Sequence, residues 1–367
     1  MLGAFAPGII SYYTQEQVII KVNQEGSRIM KTYDVTALGE LLIDFTENGF
    51  SKQGNPLYEA NPGGAPCNVL AMLAKLGHKT AFIGKAGMDI FGEQLRAAVE
   101  KAGIDPSYLL MDREAHTTLA FVHTLPDGDR DFSFYRDPGA DMMLTADEIS
   151  EEAIRNSRIF HFGTLSMTHE GVREATKKSI HIAEESGCII SFDPNLRPPL
   201  WKSMDDMRKQ VLYGLEHCQI LKISDDEICQ ISGETDYTKG INWIRERYQI
   251  PLILLSMGKR GSRAYYGKTV VERKAIIQKN TIETTGAGDT FCGCVLHYIC
   301  ENGLSGLTEK NLADMLSFAN AAASLITTRK GALSVMPEKS EIESLIKFDN
   351  AREHLSDDSD KFDSTMF

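Results

Sequence analysis

Thr284-Thr-Gly-Ala-Gly-Asp-Thr290, followed at once by Phe291-Cys-Gly-Cys-Val-Leu-His-Tyr-Ile-Cys300, joins a turn of small residues to an apolar run suited to a buried helix. Gly286, Ala287 and Gly288 let a backbone turn closely around an anion. A helix starting there aims its unpaired N–H groups and positive dipole end at the same point. Asp289 sits at that helix start. A carboxylate beside an anion site is electrostatically unfavourable unless it has chemistry to do, and accepting a proton from a hydroxyl that attacks a phosphoryl group is such chemistry. The same residues also read as an ordinary capped helix start, glycine then aspartate.

Upstream of this turn, apolar β-branched runs alternate with amphipathic stretches. Strands are predicted over 35–38, 80–83, 158–162, 188–192, 219–223 and 252–256, and helices over 68–76, 91–101, 172–185, 207–216, 289–301 and 312–327. The alternation predicts an α/β fold, a central and mainly parallel sheet flanked by helices on both faces. Ligands in such folds collect beyond the carboxyl ends of the strands. One segment departs from the pattern: 117–124 and 130–136 read as a β-hairpin turning at Asp127-Gly128. With no helix between its strands it predicts a small β-sheet lid, built from about 45–60 and 113–137.

The chain has 367 residues, enough for one large α/β domain with an insertion. A formal charge of −12 argues against nucleic-acid and anionic-membrane partners, which need clustered Lys and Arg. The seven cysteines show no Cys-x-x-Cys spacing and lie mostly in apolar runs, as expected of reduced thiols in a cytoplasmic protein. The nine histidines show no clustered ligand spacing, so no metal site is expected of them. No apolar run is long enough to span a membrane. Residues 1–29 read as a dispensable extension, 30–347 as the domain, and 348–367 as an acidic tail that frays from Ser356.

Several strand ends carry further polar groups. Asn61-Pro-Gly63-Gly64-Ala-Pro-Cys-Asn68 suits backbone amides and an Asn side chain set against a polyhydroxylated ligand, or equally a turn with a helix cap. Asp44 stands at or just past another strand end, where a carboxylate can accept two sugar hydroxyls or can equally be a solvated strand-end acid. Asp193-Pro-Asn195-Leu-Arg197 and Lys222-Ile-Ser224-Asp-Asp-Glu227 close the next two, and Ser256-Met-Gly258-Lys-Arg-Gly261 forms a glycine turn that could lie along a nucleotide. Such ends, in the order expected for a single cleft, point to one site.

With those motifs in place the chain resembles the ribokinase-like (PfkB) carbohydrate kinases from about Val35 to about Pro337, and within them the fructokinases. The second likeness rests on Phe134-Tyr-Arg-Asp-Pro-Gly-Ala-Asp141, Asp193-Pro-Asn-Leu-Arg-Pro-Pro-Leu-Trp201 and Lys222-Ile-Ser-Asp-Asp-Glu227. The resemblance implies ATP and Mg2+ as cosubstrate and cofactor, a small-molecule sugar as acceptor, and a homodimer paired through the lid. It implies that Asp289 is the general base and that the amides of Gly286, Ala287 and Gly288 form the anion hole. By the same resemblance Asp44, Gly63, Gly64, Asn68, Arg136 and Asn195 bind the sugar. Lys222, Ser224, Ser256, Gly258, Gly261 and Asn320 fall to the nucleotide, and Glu227 to Mg2+ through water.

Two positions depart from the family pattern. Ser224 replaces a usual Asn, and Glu283 replaces a usual Asp in a region that, with backbone near Gly331, often holds a monovalent cation; modest activation by K+ is expected. Arg136 could instead pair with a carboxylate in two-point geometry, which suits 2-keto-3-deoxygluconate, but its surroundings favour fructose. A sugar- or nucleotide-binding regulator that has lost the reaction is the alternative from another class. A NAD-dependent dehydrogenase would need Gly-x-Gly-x-x-Gly where Gly39-Glu-Leu-Leu-Ile-Asp44 stands.

Overall fold

The computed structural model describes residues 31–124 and 130–363. The predicted hairpin turn at Asp127-Gly128 and the 1–29 extension lie outside the described residues. In chain order the elements run β1 Tyr33–Leu38, β2 Leu42–Phe50, β3 Pro56–Gly63, α1 Ala65–Lys75, β4 Thr80–Gly87, α2 Ile90–Lys101, β5 Ile104–Asp105 and β6 Leu109–Asp112. Then follow β7 Leu119–Thr124, β8 Arg130–Tyr135, α3 Glu151–Arg155, β9 Ser157–Gly163, α4 Glu170–Glu185, β10 Ile189–Asp193, α5 Met204–His217 and β11 Ile220–Ser224. The last part holds α6 Asp225–Ser232, α7 Tyr237–Arg247, β12 Leu252–Ser256, β13 Ser262–Tyr266, β14 Thr269–Arg273, α8 Ala287–Asn302, α9 Glu309–Ile326 and α10 Lys339–Asp363.

The main sheet has the order β14-β13-β12-β11-β10-β9-β1-β4-β5, with β6 also paired to β4. It is parallel from β12 through β5, and β13 and β14 add an antiparallel edge. Its central strands are buried on both faces because both are covered by helices, and a few polar residues such as Thr36, His161 and Lys222 are buried along with the apolar ones. On β12, Leu252 and Leu254 face one core, shared with α1, α8 and α9, while Ile253 and Leu255 face the other, shared with α3 to α7.

The lid is a separate sheet of order β3-β2-β7-β8, as expected from the hairpin that breaks the βαβ rhythm. Phe45, Tyr58, Phe121 and Tyr135 stack or meet edge-on within it. The tail expected to fray is helical to Asp363: no Gly or Pro interrupts the chain after Pro337, so nothing stops α10. Among the described residues no helix is long and apolar enough to cross a membrane.

Candidate active site

The carboxyl ends of β1, β9, β10 and β11 open into a cleft of about 440 Å³ that Phe134 of the lid overhangs. Its walls include Glu40, Asp44, Gly64, Asn68, Asn195, Arg197, Lys222, Thr284 to Gly286, Gly288 and Asp289. A second cleft of about 270 Å³ is lined by Ser256, Gly258, Gly261, Phe291 and Asn320, and it shares Thr284 and Gly288 with the first. The turn that opens α8 is therefore the wall between the two cavities.

Local sequence explains this placement. Gly286 has φ 75°, a left-handed conformation that a residue without Cβ adopts at no steric cost, and α8 begins with no side-chain cap bond. Ala287 N, expected in the anion hole, turns back onto Thr284 O at 3.2 Å, so it is the neighbouring amides of the turn that can face an anion. Farther along α8, a Cβ at Gly293 would lie 2.7 Å from Met72 Cβ and 2.9 Å from Val69 O, so α8 and α1 pack at a distance only glycine permits. That approach brings Asn68, near the start of α1, to Asp289: Asn68 Nδ2 donates to Asp289 Oδ2 at 2.8 Å. The Oδ1 of Asn68 is buried without a hydrogen-bond partner, an acceptor that a ligand hydroxyl would satisfy.

Burial raises the Asp289 carboxyl above the ordinary aspartate range, opposed by the Asn68 hydrogen bond and by the charges of Lys222 and Arg197. Lys222 and Asp193 form a buried ion pair at 3.0 Å. Burial acts against the Lys222 ammonium, but Asp193, Glu227 and Asp289 outweigh it and the pKa is raised, so Lys222 is a fixed cation. Its Nζ lies 3.0 Å from where a Cβ would stand at Gly288. Burial also pushes Glu40 up to about 7; its carboxylate accepts from Ala65 N at 2.9 Å and holds the start of α1.

Most of the residues expected at the site converge. Asp44, Gly64, Asn68 and Asn195 line the first cleft, with Gly63 behind Asp44. Ser256, Gly258, Gly261, Ala287 and Asn320 line the second. Asn320 spends its own polar atoms on the protein, accepting from Ser262 Oγ at 2.8 Å and donating to the carbonyls of Arg273 and Lys274. It shapes that cavity through the loop it holds.

Arg136 departs from its expected sugar contact. Its side chain is 2% exposed, pairs with Asp141 at 2.6 Å, and donates to Thr168 Oγ1 and Leu165 O. Its donors are taken up by the protein, so it fixes the loop after β9 and does not line the cleft. Lys222, expected at the nucleotide, lines the first cleft instead, because Asp193 on neighbouring β10 draws its ammonium inward. Ser224 lines neither cleft: it caps α6 reciprocally with Glu227, whose Oε2 accepts from Ser224 N at 2.9 Å. Glu227 Oε1 takes Leu196 N at 2.8 Å and so ties the end of β10 to that of β11. Glu283 and Gly331 meet as expected, Gly331 N donating to Glu283 Oε1 at 2.7 Å. Arg197 and Glu40 were not singled out from sequence, although the Asp193-Pro-Asn-Leu-Arg motif contains the former.

A family model described as pfkB family carbohydrate kinase matches residues 33–339. The chain belongs to that family. This carbohydrate kinase is 38% identical over 315 residues to fructokinase-1 of Zea mays, covering 85% of this chain and 97% of the relative. A crystal structure of fructokinase from Xylella fastidiosa with bound ATP superposes with TM-score 0.77 at 28% identity, covering 87% of this chain and 99% of that one. A double-mutant fructokinase of Vibrio cholerae, in fructose, ADP and potassium ion bound form, gives TM-score 0.78 at 25% identity, covering 87% and 100%.

Proposed function

We propose that this kinase transfers the γ-phosphoryl group of ATP to fructose, giving fructose 6-phosphate. The observation that carries the reading is the position of Asp289, which lines the first cleft bonded to Asn68 and directly follows Gly288, a residue of the wall shared with the second cleft. Asp289 takes the proton of the primary hydroxyl, the hydroxyl oxygen bonds to the γ-phosphorus, and the bond to the bridging oxygen of ADP breaks. The amides of Gly286 and Gly288 and the Lys222 ammonium meet the charge that grows on the transferring group, while Ala287 N, bonded to Thr284 O, holds the turn in shape. Asp44, Asn68 and Asn195 orient the sugar, and the second cleft takes the nucleotide.

Glu227 suits Mg2+ held through water, because both its carboxylate oxygens already accept backbone N–H bonds. The ion would neutralise phosphate charge, while Glu227 fixes the two strand ends. Glu283 beside Gly331 is the candidate K+ region, and modest activation is expected over a large organic cation. The relatives named fructokinase, and the Vibrio cholerae structure with fructose and ADP, support this assignment. The case for 2-keto-3-deoxygluconate leaned on Arg136, which is occupied by Asp141. Phe50, Leu57 and Tyr135, exposed on three lid strands, fit a dimer paired through the lid.

The test is ADP release with ATP and Mg2+ over a sugar panel. Fructose is expected to give the highest kcat/KM, and a higher value for 2-keto-3-deoxygluconate would overturn the assignment. No turnover with any sugar would favour the binding regulator.

A further inference from the structure

Sequence spacing offers no histidine cluster, yet the fold makes one at the far end of α8. His78, just before β4, places Nε2 2.7 Å from Nδ1 of His297 and 3.9 Å from Oε1 of Glu301. The donor atoms of these three residues all lie within 4.8 Å of one another. His297 and Glu301 share one face of α8 at i,i+4 spacing. On its other ring nitrogen, His78 Nδ1 lies 3.5 Å from Asp34 Oδ2. That carboxylate is itself held by Lys79 N at 3.0 Å and Arg158 at 2.9 Å. At about 1.5 Å of rise per helical residue, Glu301 stands roughly 18 Å along α8 from Asp289, so the cluster is remote from phosphoryl transfer.

We propose that His78 Nε2, His297 Nδ1 and the Glu301 carboxylate bind a divalent transition-metal ion of the zinc type. Imidazole and carboxylate are donors zinc accepts, and three protein ligands with a water in the fourth place form a common zinc set. Bonds of about 2.0–2.1 Å in a tetrahedron place neighbouring ligand atoms about 3.4 Å apart. The imidazole pair then has only to open by roughly 0.7 Å, within the reach of side-chain rotation. Glu301 is 61% exposed, which leaves it free to swing in and gives the ion a path from solvent.

Asp34 supplies what a bare pair of hydrogen-bonded imidazoles would not need. The negative charge of Asp34, 3.5 Å from Nδ1, favours the proton on that nitrogen and so leaves the lone pair of Nε2 for the metal, in the manner of the carboxylates that stand behind metal-binding imidazoles. Cys300 completes a second donor group with Asp34 and His78, but it is buried, whereas Glu301 is open to solvent. The ion would clamp the last turn of α8 to the starts of β1 and β4, and its effect is on stability.

The test uses the full chain, stripped with EDTA and free of nucleotide, titrated with Zn2+ by calorimetry and with Co2+ by visible absorption. Wild type is expected to bind one equivalent at this site and to gain in Tm with Zn2+. Glu301→Gln, on an exposed side chain, should fold and keep its kinase rate while weakening that equivalent about tenfold or more. His297→Asn is the second variant, and it should lose the same equivalent and alter the Co2+ bands. Undiminished binding in both variants would place the ion elsewhere and overturn the proposal, as would no binding in wild type.

Discussion

Replacing Asn68 with alanine should move the acid limb of the kcat pH profile to higher pH. In the folded protein the Asp289 carboxyl is raised by burial and held down in part by the 2.8 Å hydrogen bond from Asn68 Nδ2. Removing that donor takes stabilisation from the carboxylate form and leaves the carboxylic acid form almost untouched, so the pKa rises further. A hydrogen bond to a charged group is worth about 1.5–3 kcal/mol. At about 1.4 kcal/mol per unit, the limb should shift upward by roughly 1–2 pH units. The base works only when deprotonated, so at fixed pH below the plateau the variant loses rate, and raising the pH recovers most of it. The assay is coupled ADP release at saturating ATP and sugar across the pH range, where the limb of kcat reports the enzyme–substrate complex. A rate loss that is the same at every pH, with the limb unmoved, would refute the argument that Asn68 tunes Asp289 and would leave it a sugar contact alone.

Gly63→Ala would set a Cβ 2.3 Å from Asp44 Oδ2. The side chain must turn away, and loss of one hydrogen bond to its charge, about 1.5–3 kcal/mol, should raise KM for sugar about tenfold or more with KM for ATP unchanged. Lys222→Met should lower unfolding free energy by up to about 3–5 kcal/mol, read by urea titration, because Asp193, whose carboxyl burial already pushes up to about 7, loses its counter-charge and must either stay charged and unpaired or take a proton. Arg136→Met should likewise destabilise by about 3–5 kcal/mol through Asp141. An Arg136 variant of wild-type stability with a raised sugar KM would restore the direct contact denied to it here.

The parallel core was readable because its strands announce themselves one at a time. The predicted 252–256 strand coincides with β12, and the other five lie within two residues of the observed starts of β1, β4, β9, β10 and β11. The antiparallel edge, β13 and β14, was not called: Ser262-Arg-Ala-Tyr-Tyr266 and Thr269-Val-Val-Glu-Arg273 carry polar residues on the outer side and are short, although Gly267 between them is a turn signal. At the site, what lies within one contiguous motif was legible, as with Gly286 to Asp289. What depends on distant partners was not. Asn68 and Asp289 are 221 positions apart, and His78 and His297 are 219 apart. Arg136 looked available because nothing in the local chain reveals Thr168 or the Leu165 carbonyl folding onto it. Ser224 and Glu227 carried the spacing of a capping box as clearly as that of a ligand site, and the helix start is what they build.

The account stands on Asp289 as the group that accepts the hydroxyl proton. Asp289→Asn keeps the size of the side chain and removes the base, and its kcat with fructose, ATP and Mg2+ should fall by about 10² to 10⁴ with thermal stability retained. A folded Asp289→Asn protein turning over within a few-fold of wild type would contradict it.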